Sequence, residues 1–268
     1  MSDIASIWRR GSGFPGVLVI DGHVHLSEWQ YWKTFETFEE VPEKAVDNMD
    51  ANGVDAVCAV GGGYMWEGCD YTIGNDRLSG WWRALPDRII PFFNINPNDS
   101  PDGVNRELNR MYDRGMRCIK LINSYQEQYP GDGPNLMKVY EFAAAHNMLV
   151  FNHHWSYKEL DFLAERFSNI PFVGAHGAPL PLLKKYDNVY TNIWSYGNMG
   201  WLDRNISEVG AHKFMFGSDA FMNPMSVGIG PVVYAPITDD ERRQILGLTV
   251  ARLLDGVGAL PDHIKSKM

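Results

Sequence analysis

The chain has 268 residues, a formal net charge of −9 and an isoelectric point of about 5.3. Such an acidic chain offers no basic field for a phosphate backbone or an anionic membrane, which excludes nucleic acid and membranes as partners. No run approaches the roughly 18 apolar residues of a membrane span, and residues 1–10 lack the apolar core of a signal peptide. We expect a soluble, cytoplasmic protein, whose three cysteines match no disulfide or zinc pattern.

Apolar runs of strand length recur along the chain and predict eight β-strands. No repeat, low-complexity tract or Pro/Gly/Ser linker interrupts them, so residues 1–268 are expected to form one domain. In chain order, the runs are residues 17–21, 55–60, 89–95, 118–123, 149–153, 172–176, 189–194 and 214–219.

Helix signals separate most of these runs. Pro42 suits the first turn of a helix that ends before Gly53, and Thr238 with Glu241 forms a capping box for a last helix through Leu254. Two apolar stripes with i, i+3, i+4, i+7 spacing predict further helices. They are Leu136, Val139, Tyr140, Ala143 and Leu160, Leu163, Ala164, Phe167.

Near-continuous apolar strands that alternate with helices indicate parallel strands covered on the outside. This pattern allows either a (β/α)8 TIM barrel or a doubly wound sheet. Residues with metal-binding chemistry end the first, fifth, sixth and eighth runs, and only a closed barrel brings the first and eighth strand ends together. The sequence therefore predicts an α/β protein with a single-domain (β/α)8 barrel.

The first strand ends in Asp21-Gly-His23-Val-His25. Regular alternation would place these three side chains on one side of an extended chain, so two imidazoles would converge as ligands for a divalent metal. Two ligands alone do not make a site, and two histidines in a surface loop would look the same.

Later strands supply the remaining candidates. His153 and His154 end the fifth run, His176 the sixth and Asp219 the eighth, and Lys120 lies within the fourth. Buried ionisable side chains are costly unless they are paired or bind a metal, so their recurrence at strand ends favours a metal site. Alternation allows only one of His153 and His154 to point inward, and strand parity does not decide which.

These motifs resemble the amidohydrolase superfamily, and within it the amidohydrolase-2 group that includes aminocarboxymuconate semialdehyde decarboxylase and related decarboxylases and lactonases. The resemblance covers nearly the whole chain. It rests on segments 21–25, 150–155, 175–177 and 216–219, which occur in the family's order. It is specific for the superfamily and much less so for one reaction.

The resemblance implies one divalent metal, which we expect to be Zn²⁺, with Mn²⁺ as an alternative. Its implied ligands are His23, His25, His153 and Asp219. His176 then becomes a catalytic acid or base, and Asp219 can also accept a proton. The resemblance also implies a small-molecule substrate, and it allows a homodimer or higher homo-oligomer.

Other residues are assigned to the surroundings of the metal. We expect Asp21 to fix an imidazole or the strand end, because carboxylates beside metal-binding histidines set their tautomer. Lys120 has three open roles: contact with a substrate carboxylate, a buried ion pair, or carbamylation. The remaining candidates for substrate contact are His154, Trp155 and Trp194.

Three functions are compatible with this site. The first is a metal-dependent hydrolase that uses metal-activated water on a lactone, amide or ester of a small carboxylated substrate. The alternative is a nonoxidative decarboxylase of an aromatic or muconate-type carboxylic acid, which needs a cation such as Lys120 for the carboxylate. A third reading keeps the metal for binding or structure without turnover, but His176 beside the ligand set suits catalysis better.

Overall fold

The computed structural model describes residues 4, 14–26, 40–63, 70–194, 200–220 and 223–268. Within these ranges, parallel strands alternate with helices, and each strand pairs with the next one in chain order. The strands are β1 (Ile20–His25), β2 (Ala56–Val60), β3 (Ile89–Asn94), β4 (Cys118–Leu121), β5 (Leu149–Asn152), β6 (Phe172–Gly174), β7 (Val189–Asn192) and β8 (Phe214–Met215).

Backbone hydrogen bonds between β1 and the residues that follow β8 close the barrel. Gly22 N donates to Phe216 O at 2.9 Å, and just beyond β8, Asp219 N donates to His23 O at 2.9 Å. A Cβ on Gly22 would lie 2.9 Å from Phe216 O, so this approach requires glycine. The predicted (β/α)8 TIM barrel with a single domain is confirmed.

Most of the helices pack against the outside of the barrel, whereas the last two contribute residues to its interior. The helices are α1 (Val41–Asn52), α2 (Tyr71–Ala84), α3 (Pro101–Asp113), α4 (Pro134–Ala145), α5 (Tyr157–Arg166), α6 (Leu180–Lys185), α7 (Trp201–Val209), α8 (Ser226–Tyr234), α9 (Asp239–Arg243), α10 (Thr249–Gly256) and α11 (Asp262–Lys265). None of the helices in the described ranges is long and apolar enough to cross a membrane.

The predicted helix ends are also found. Helix α1 has Pro42 in its first turn and is followed by Gly53, whose φ of 68° is left-handed. Thr238 and Glu241 form the capping box at the start of α9. The single last helix expected through Leu254 is instead split, because a π-helical segment at Gln244–Leu248 separates α9 from α10.

Alternate strand residues form two apolar layers. The outer layer packs against the helices, whereas the inner layer fills the barrel and is joined by residues of α10 and α11. Inner-layer strand residues include Ile20, Cys58, Phe92, Cys118, Phe151 and Met215. The inner layer therefore forms the floor beneath the C-terminal ends of the strands.

Strand β1 departs from regular alternation just where its histidines occur. Its pairing with β2 shifts from Asp21↔Val57 to Val24↔Ala59, so three steps along β1 match two along β2. Such a bulge reverses the alternation of side chains that follow it. The side chains of Asp21 and His23 therefore lie on opposite sides of β1. The sequence, read as a regular strand, predicts that they lie on the same side.

Candidate active site

Three of the predicted ligands converge at the mouth of the barrel. His23 Nε2 lies 3.1 Å from His25 Nε2, and these atoms lie 3.4 and 2.8 Å from Asp219 Oδ1. All three side chains are buried, and their ligand atoms lie within 4.8 Å of one another. The β1 bulge orients the two histidines towards the site, and the irregular segment after β8 supplies the carboxylate.

The chemistry of this trio fits a divalent cation. Burial holds the pKa of His23 well below its usual value, so its imidazole is in the neutral, metal-binding form. Burial opposes ionisation of Asp219, but His25 nevertheless holds the pKa of this carboxyl below its usual value. The two imidazole Nε2 atoms are 3.1 Å apart, so only one proton fits between them. A cation at this place can instead bind the lone pairs of both nitrogens together with the carboxylate oxygen.

The fourth predicted ligand, His153, lies beside the trio and contacts His176. His153 Nδ1 is 3.1 Å from His176 Nε2, and the ring centroids are 4.5 Å apart. Burial lowers the pKa of His153 to about 3 and that of His176 to about 4, so both rings are neutral at pH 7. Coordination by His153 and acid–base chemistry by His176 stay predictions.

Lys120 forms part of the floor of the site. Its buried Nζ lies 3.1 Å from His23 Nε2 and 3.8 Å from the centre of the Phe151 ring. Burial lowers the pKa of Lys120 from 10.5 to about 7, although Asp219 opposes this change. An amine beside the ligand trio can therefore hold or release a proton near neutral pH.

An open cavity of about 460 Å³ lies at His153 and His176. His154, an exposed residue, lines it, as do His153 and His176. The sequence did not single out the other lining residues, Ser124 and Tyr125, which follow β4 in the short turn Asn123–Tyr125. Their position after a barrel strand was the only signal for them.

The two predicted tryptophans have different surroundings. Trp194 lies at the site, with its ring centroid 6.1 Å from that of His176. Trp155 is buried, and its indole Nε1 donates to the Tyr140 hydroxyl at 3.1 Å while its ring packs against Phe172. Its observed contacts are thus with the outer layer of the core.

Asp21 contacts neither imidazole in the described structure. Its carboxylate accepts hydrogen bonds from the backbone N–H of His23 and from the N–H and hydroxyl of Ser218. Burial raises the pKa of Asp21 to about 7, and the Ser218 hydroxyl bond opposes this change. Sequence analysis missed Ser218, whose only signal is that it precedes Asp219.

A closed barrel with a buried His-His-Asp trio at its C-terminal mouth defines a class of metal-binding α/β barrels. Within that class, the family model described as amidohydrolase matches residues 20–256. The chain therefore belongs to the amidohydrolase family. None of the curated proteins matches this sequence.

Solved structures share the barrel at low identity, which by itself shows only the fold. 5-Carboxyvanillate decarboxylase from Sphingomonas paucimobilis is 16% identical with a TM-score of 0.65, and the match covers 89% of this chain and 99% of that one. Dihydroxybenzoic acid decarboxylase from Polaromonas sp. JS666, with bound manganese, is 14% identical with a TM-score of 0.68, and the match covers 89% of this chain and 97% of that one. 4-Oxalomesaconate hydratase from Rhodopseudomonas palustris is 16% identical with a TM-score of 0.69, and the match covers 93% of this chain and 98% of that one.

Proposed function

We propose that this protein is a metal-dependent, nonoxidative decarboxylase of a small aromatic or muconate-type carboxylic acid. The observation that carries the proposal is the buried amine of Lys120, 3.1 Å from His23 Nε2 and beside the ligand trio. A decarboxylase must hold a substrate carboxylate within reach of a cation in a site with little water. The similarity to barrels named as decarboxylases supports the same reaction class.

His23, His25 and Asp219 would hold one divalent metal, with His153 as the predicted fourth ligand. When bound, the metal supplies Lewis-acid chemistry that stabilises negative charge on substrate oxygens. We expect Zn²⁺ from the nitrogen and oxygen donors, and Mn²⁺ is the alternative because such donors suit both ions. The manganese in the Polaromonas enzyme supports this alternative.

The proposed reaction replaces a carboxylate by a proton. A proton is added to the carbon that carries the carboxylate, the carbon–carbon bond breaks, its electron pair returns to the conjugated system, and carbon dioxide leaves. Lys120 would orient the carboxylate. Asp219 and His176 are both in their basic forms at pH 7, so the donor must first take a proton from the substrate or from solvent.

Hydrolysis is the second candidate. A neutral His176, whose ring centroid lies 5.6 Å from that of His23, is suited to accept a proton from water that attacks a lactone, amide or ester. We rank it second because hydrolysis does not by itself require the buried amine of Lys120 beside the metal ligands.

A paired product assay tests the two candidates. Protein freed of metal by a chelator is reloaded with Zn²⁺ or Mn²⁺ and given hydroxybenzoates, carboxyvanillates, muconate-type acids and lactones. Carbon dioxide release that depends on metal and disappears in His23→Ala is the expected result. The matched control is His146→Ala, because His146 packs between Tyr112 and Phe142 instead of lining the site. Acid release without carbon dioxide would replace decarboxylation by hydrolysis.

A further inference from the structure

Ser218 and Asp21 form a buried pair that joins the end of β8 to β1. The Ser218 hydroxyl donates to Asp21 Oδ2 at 2.5 Å and accepts from Ala220 N at 3.1 Å. Asp21 Oδ1 accepts from Ser218 N at 3.0 Å and from His23 N at 3.1 Å. Both side chains are fully buried, so water cannot substitute for these bonds.

This pair lies where both ligand-bearing segments leave regular geometry. On β1, the hydrogen bond from His23 N to Asp21 falls within the bulge that turns His23 inward. On the other segment, Ser218 and Ala220 flank Asp219, whose φ of 60° is left-handed. This conformation costs free energy for a non-glycine residue, and the hydrogen bonds of Ser218 and Ala220 on either side of Asp219 help to hold it.

We propose that Ser218 is a positioning residue that acts through Asp21 to hold His23 and Asp219 in metal-binding geometry before the metal arrives. A side-chain hydroxyl is needed because one oxygen must both donate to the carboxylate and accept from a backbone N–H. Residues that orient metal ligands through such hydrogen bonds typically change metal affinity by about 10–100-fold when they are lost.

The inference rests on the metal site of the proposed function and is independent of the reaction catalysed. It is tested in the full-length chain with Ser218→Ala, which removes the hydroxyl, and with Asp21→Asn, which keeps an acceptor for the two backbone bonds. The dissociation constants of Zn²⁺ and Mn²⁺ are measured by competition with a chromophoric chelator. The absorption spectrum of Co²⁺-loaded protein reports the ligand geometry without requiring turnover.

Each variant is expected to keep the wild-type far-UV circular dichroism, to bind metal about 10–100-fold more weakly and to change the Co²⁺ spectrum. The double variant should lose little more than Ser218→Ala alone, because both changes break the same contact. Ser79→Ala is the matched control, since Ser79 is also buried and its hydroxyl has no hydrogen-bond partner in the described part of the chain. It should bind metal like wild type.

Unchanged affinity and spectrum in Ser218→Ala would overturn the positioning role. Failure of both variants to fold would also overturn it, because the pair would then serve barrel closure alone. A wild-type protein that binds neither ion would instead refute the metal site of the proposed function. The two failures are therefore distinguishable.

Discussion

Replacing Lys120 by Met is expected to stabilise the metal-free protein while removing its activity. Lys120 is fully buried, and its amine has the His23 ring and the face of Phe151 as its close neighbours. Met is unbranched and of similar length, so it can occupy the same space without placing a charge there. The variant isolates the cost of burying the amine.

The lowered pKa gives the size of that cost. Each tenfold change in a proton equilibrium corresponds to about 1.4 kcal/mol. The fall of the Lys120 pKa from 10.5 to about 7 therefore corresponds to about 5 kcal/mol well below pH 7, and to about 4 kcal/mol at pH 7, where about half of the folded protein has released the proton. Well below pH 7 the cost is fully present. As pH rises from 7 towards 10.5, the unfolded chain binds the proton that the folded protein has released, so wild-type stability approaches that of the variant.

Urea unfolding of both proteins in excess chelator, at several pH values between 6 and about 10, measures this difference. Lys213→Met is the matched control because Lys213 is also buried, but its Nζ donates to three backbone carbonyls. Its replacement should destabilise the protein by about 1–3 kcal/mol, since those acceptors lose their donor. A Lys120→Met protein less stable than wild type at pH 7 would refute the reasoning.

The remaining predictions concern the ligands and the proton-transfer group. His23→Ala and Asp219→Ala should each lose metal and turnover together, and full metal occupancy by elemental analysis in both would contradict their assignment. His154→Ala should retain metal because His153 is the predicted ligand; metal loss there, with retention in His153→Ala, would reverse that choice. His176→Asn should retain metal while kcat falls by about 10²–10⁴-fold in the product assay. Normal turnover would make His176 a packing residue.

The barrel was predictable because its strands are apolar on both faces and its helices carry clear end signals. Strand ends were less accurate: the run at 214–219 forms a strand only at Phe214–Met215. Beyond it, residues 216–219 leave regular strand geometry but stay beside β1, since Gly22 N donates to Phe216 O and Asp219 N donates to His23 O. Such a loss of strand geometry is not visible in hydrophobicity. Strand length was therefore overestimated where the chain carries chemistry.

The metal trio was predictable because closure of the barrel alone brings Asp219 to His23 and His25. The orientation of Asp21 was not, because a bulge changes side-chain parity without changing composition. Trp155 illustrates a second limit. Its place after β5 suggested a pocket wall, but a hydroxyl on Tyr140, distant in sequence, accepts its indole hydrogen bond in the core. Such partners are set by packing between elements.

The site also contains residues whose backbone conformation or burial is unfavourable. His176 and Asp219 have left-handed backbones with φ of 54° and 60°, each costing on the order of 1–3 kcal/mol, and Lys120 adds the cost of a buried amine. Glycine at position 176 or 219 would remove the backbone cost, and Met at position 120 would remove the cost of the buried amine. Each substitution would also remove the side chain that the chemistry needs. A metal that binds only the folded chain, at 1,000 times its Kd, adds about 4 kcal/mol to stability. This gain is the size of the Lys120 cost, so the loaded protein can tolerate a site that weakens the metal-free one.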